Sequence, residues 1–79
     1  MPLFFFNLRN DLDADDLEGT DLPNLAAARE RARAYAVNMA AASIQEHQRL
    51  NLDHRIEIAD ASGAVLETVY FRDVLTLEG

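Results

Sequence analysis

The stretch Leu3-Phe4-Phe5-Phe6-Asn7-Leu8 constrains this chain more than any other. Five of its six residues are large and apolar, and it holds three of the four phenylalanines in the protein. An extended strand sends alternate side chains to opposite faces, so Phe4, Phe6 and Leu8 share one face, and Leu3, Phe5 and Asn7 the other. A strand that is apolar on both sides belongs inside a sheet with something packed against it. The chain has 79 residues, enough for one domain that buries about 60% of its unfolded surface. It contains no cysteine, so packing, or association with another copy, has to supply what a disulfide or thiolate metal site would add elsewhere.

The covering element is equally legible. Leu22-Pro23-Asn24 ends one segment and opens another, with Asn24 as N-cap and Leu25 starting a periodic apolar series. Leu25, Ala28, Ala32, Tyr35, Ala36, Met39, Ala40 and Ser43 fall on one stripe at helical spacing, which predicts a helix over about 25–48. Its alanine content favours helix and leaves a low surface that a sheet can approach closely. Strands are expected over about 2–9, 17–22, 55–60 and 64–71. The last two form a hairpin around Asp60-Ala61-Ser62-Gly63. The expected architecture is α+β, a two-layer β-β-α-β-β domain over 1–79, with a four-stranded sheet and one long helix on one face. The fourth strand carries Val65, Val69 and Phe71 on one side and Leu66 and Tyr70 on the other. That pattern places it beside the first strand, with the second and third at the edges.

These marks resemble a small bacterial family of unknown function. Its members open on Met-Pro-x-aromatic-Phe-Phe-x-Leu-Arg, matched here by Met1-Pro2, Phe4-Phe5-Phe6 and Leu8-Arg9. An acidic turn follows, then Leu22-Pro23-Asn24-Leu25 before the alanine-rich helix. The closing block is Asp60-Ala61-Ser62-Gly63-Ala64-Val65-Leu66-Glu67-Thr68-Val69-Tyr70-Phe71. Asn24 stands where the family usually has Asp, and Asn7 where it often has His. The resemblance implies the same fold and carries no activity, cofactor or catalytic residue.

Charge narrows the function classes. Fourteen Asp and Glu face seven basic residues, all arginine, for a net charge of −7. Without lysine there is no Schiff-base chemistry and no lysine anchor of the P-loop kind. An acidic domain is repelled by nucleic acid and by anionic membrane, so both are disfavoured partners. No segment approaches the about 20 apolar residues of a membrane span, and the first residues lack a signal-peptide pattern. Together with the missing cysteine, this makes the cytoplasm the expected location.

Three groups of residues bear on chemistry. Asp11-x-Asp13-x-Asp15 opens like a calcium loop, but Asp16 stands where glycine is required and Leu22 where a bidentate Glu belongs. A solvated acidic hairpin loop is expected, with weak cation binding by Asp11, Asp13, Asp15, Asp16 and Glu18 as the alternative. His47 and His54, beside Glu46 and Asp53, flank the helix-to-strand connector at a spacing that matches no standard metal site. Helix capping or surface exposure is their expected role. Ser43 and Ser62 lack a nucleophile-elbow context. No catalytic, cofactor-binding or metal residue is therefore assigned, no cofactor is expected, and the chain reads as a binding module rather than an enzyme. The uncovered sheet face is the expected interaction surface, formed by Leu3, Phe5, Leu66 and Tyr70 with Leu75 and Leu77 from the tail. Burying it favours a homodimer or an unknown protein partner. A small antitoxin-like or RNA-associated regulator is the alternative.

Overall fold

The computed structural model describes residues 2–76 and 78. Its elements run β1 (Leu3–Arg9), β2 (Thr20–Asp21), α1 (Leu25–His47), β3 (Arg55–Ala59), β4 (Val65–Tyr70) and a short α2 (Phe71–Val74). The strands form one antiparallel sheet in the order β2-β1-β3-β4, with α1 packed on one side. This is the α+β arrangement expected from the sequence. No helix among the described residues is long and apolar enough to cross a membrane.

The helix begins where its cap predicts. The Asn24 side-chain oxygen accepts from the Ala27 N–H at 2.9 Å, and Gln48 closes the other end in a left-handed conformation, its N–H donating to the Ile44 carbonyl. The buried stripe of α1 is Ala28, Ala32, Ala36 and Ala40. Small side chains at four-residue spacing let the backbone settle onto Phe4, Leu22, Ile56, Ile58, Val69 and Phe71, which complete the core. Phe6 and Leu8 pack at its margin, Phe6 edge-on to Tyr35 with ring centroids 5.3 Å apart. The Phe4-Phe6-Leu8 face of the first strand thus lies under the helix, as its alternation requires.

The strand order differs from the one expected. β3, not β4, lies beside β1, paired from Phe5↔Ala59 to Arg9↔Arg55, and β4 is an edge. Apolar residues on both faces were the wrong criterion for centrality. Ile56 and Ile58 fill the helix side of β3, while its outward Glu57 accepts from Arg9 Nε at 3.0 Å. A charge met by its neighbour in the ladder lets a half-polar strand sit in the middle. The second strand is also shorter than the expected 17–22, because only Thr20 and Asp21 pair with Phe4 and Leu3. Finally, a register shift between Ile58 and Ala59 sets Val65 opposite Ala59. Directly opposed residues share a face, so Val65 leaves the Val69 side and joins Phe5.

Candidate functional site

The uncovered face is built from rows across the strands. Leu3 lies beside Asp21, Phe5 beside Ala59 and Val65, Asn7 beside Glu57 and Thr68, and Arg9 beside Arg55 and Tyr70. These rows separate two ends. At the first, Leu3 is 39%, Val65 51% and Leu66 44% exposed, around an Ala59 that is only 1% exposed. Phe5 is half-buried there, because Gly19 folds over its ring: a Cβ at Gly19 would come within 2.9 Å of it, and Gly19 has φ +76°. At the second end, Tyr70 lies between two guanidiniums, with Arg55 5.9 Å and Arg72 5.8 Å from the ring centroid. Such contacts combine ring-quadrupole attraction with a broad, rigid surface.

Of the six expected surface residues, Leu3, Phe5, Leu66 and Tyr70 lie on this face. They do not form one apolar patch. β3 separates β1 from β4 and inserts Arg55 and Glu57 between Phe5 and Tyr70. Leu75 packs against the helix-side core with Val74, and Leu77 lies outside the described residues. The sequence reading missed Val65, whose face depends on the bulge, and the Arg55–Tyr70–Arg72 group, which depends on the strand order.

The acidic loop stays at the surface but engages several of its carboxylates with the protein itself. Asp16 accepts from the Phe6 N–H at 3.2 Å through one oxygen, and from the Glu18 and Gly19 N–H groups at 3.0 and 3.1 Å through the other. Burial pushes the Asp16 carboxyl up, but the Gly19, Phe6 and Glu18 donors together outweigh it and hold it below its ordinary value. Asp15 receives Arg9 at 2.7 Å, and Asp13 accepts from the Asn10 N–H. Leu8 and Ala14 exchange both backbone hydrogen bonds. Carboxylates engaged in this way serve as a substitute strand along β1. Among the described residues, no three His, Asp or Glu side chains are grouped so as to hold a metal ion.

Residues 3–72 match DUF6894, a domain of unknown function. The chain belongs to this family. No curated protein and no solved structure matches it.

The two histidines of this DUF6894 domain line one open groove of about 1040 Å³ at the C-terminal end of α1, with Leu8, Met39, Leu52 and Phe71 among its walls. His47 is exposed beside Glu46 at 3.8 Å. His54 stacks edge-on against Phe71 with centroids 5.7 Å apart, and its Nε2 is buried 3.6 Å from Asp11, beyond hydrogen-bond reach. Neither is paired with a nucleophile. Ser43 is engaged by the Arg49 carbonyl, to which its hydroxyl donates at 2.7 Å, and Ser62 by Asp60.

Proposed function

We propose that this domain is a small cytoplasmic interaction module, not an enzyme, that associates with a second copy through its uncovered sheet face. One observation carries the reading: Leu3, Val65 and Leu66 remain exposed at one end of a sheet whose opposite face is sealed by α1. Exposed apolar residues around a buried Ala59 form a surface that gains by losing water. Tyr70 flanked by arginines adds the residue types that dominate protein interfaces. The absence of cysteine supports a reducing compartment.

Light scattering at micromolar concentration tests this. A mass of two chains is expected, falling to one chain in Leu66→Asp, and unchanged on adding single-stranded RNA. A one-chain mass throughout the concentration range overturns self-association. A one-chain species that shifts with RNA instead supports the RNA-associated regulator.

A further inference from the structure

The charges on and around the uncovered face are not evenly spread, and their arrangement selects one way for two copies to meet. β1 runs from Leu3 to Arg9, so the apolar residues and the arginines occupy opposite ends of the strands. Across the strands at the arginine end, the two sides differ in the charged groups they expose. The β1 side carries the acidic loop, with Asp15 tied to Arg9 and 63% exposed in its side chain. The β4 side carries Tyr70 between Arg55 and Arg72. Arg72 is paired with Asp53, whereas Arg55 has the weaker acidic partner, a Glu57 whose Oε2 is 3.9 Å away and whose other oxygen, Oε1, accepts from Arg9.

We infer that two copies stack their uncovered faces about a two-fold axis parallel to the strands, each seating its acidic loop on the partner's Arg55–Tyr70–Arg72 group. This pairing rests on the self-association proposed above. An axis parallel to the strands exchanges left and right across the sheet but keeps the two ends in place. The β4 side of one copy then faces the β1 side of the other, so arginines meet acids twice. At the apolar end, Leu3 of each copy meets Val65 and Leu66 of the other. An in-plane axis perpendicular to the strands would instead lay the apolar end over the charged end, leaving charges desolvated against leucine and valine. Two chains of net charge −7 repel, and the favoured arrangement is the one that sets acids against arginines. The contact is isologous and closes at two chains.

Charge reversal tests the pairing. In sedimentation or light scattering, Arg55→Glu and Asp15→Arg are each expected to weaken the dimer by about tenfold or more. An equimolar mixture of the two should recover it, because in the mixed dimer one contact is native and the other is reversed on both sides. Recovery also demonstrates that both variants are folded. If Arg55→Glu loses its circular-dichroism signature, Arg72→Glu takes its place in the mixture. A wild-type dimer that tolerates both reversals, or a mixture that fails to recover, overturns this pairing and leaves self-association standing. A wild-type chain that stays single overturns the reading beneath it.

Discussion

The two edges of the sheet are guarded against strand addition by unlike devices. Along β1 the backbone is covered by the loop. Leu8 pairs with Ala14, the Asp16 carboxylate takes the Phe6 N–H, and Asn7 Oδ1 accepts the Asp16 N–H at 3.0 Å. Among the described residues nothing covers β4; its two ends are stopped instead. The register shift interrupts the ladder at Val65 and Leu66, and at the other end Asp73 accepts the Tyr70 N–H at 3.2 Å. Because the Phe71 N–H donates to the His54 carbonyl, alternation turns the Thr68 N–H and C=O outward, between the two stops. One edge is thus protected by side-chain chemistry that requires an ionised carboxylate, the other by backbone geometry with a local cap. Sheets manage their edges in both ways.

Perturbing each device should separate them. Asp16→Ala should have the largest effect, about 2 kcal/mol of lost stability in urea unfolding, since three backbone donors lose a charged acceptor. Amide exchange should quicken at Phe6 and not at Val69. Gly19→Ala should follow at about 1.5 kcal/mol, combining a left-handed backbone with a methyl driven into the Phe5 ring. The pH dependence has a definite sign. A carboxyl held below its ordinary value stabilises fully above its unfolded pKa of about 4 and loses that contribution as pH falls through the folded value. Acid should therefore free the Phe6 amide as Asp16 becomes protonated, and Asp16→Asn should flatten that dependence. At the other edge, Asp73→Ala should cost about 0.5–1 kcal/mol through the lost cap, with faster exchange confined to Tyr70 and α2. Arg29→Ala should have the smallest effect, leaving the urea midpoint nearly unchanged, because its bidentate pair with Glu67 is a surface contact.

Much of the fold could be read from residues close together in the chain. The Asn24 cap, the alanine stripe, the Phe4-Phe6-Leu8 alternation and the Asp60–Gly63 turn are local patterns, and the structure follows them. The Asp60 side chain even takes the Ser62 hydroxyl and the Ser62 and Ala64 N–H groups, as short turn acids do. Non-local facts were hidden. Glu57 reads as an edge residue until Arg9, 48 positions away, is known to meet it. Val65 reads as a core residue until a bulge turns it over. Leu3, Phe5, Leu66 and Tyr70 were found on the predicted face, but the charged rows dividing them follow from the strand order. Asp16 was legible as a turn former, not as the acceptor for three N–H groups.

The alanine stripe of α1 has one more consequence. Ala28, Ala32, Ala36 and Ala40 possess no rotamers, so the helix loses no side-chain entropy at these positions when it docks, and most of the side-chain ordering of that contact falls on the sheet, on Leu22 and Phe71, and on the flanking Leu25 and Tyr35. A short chain thereby acquires a core whose shape is specified almost wholly by one partner. The helix acts as a smooth lid, and the strands beneath it record which way it must lie.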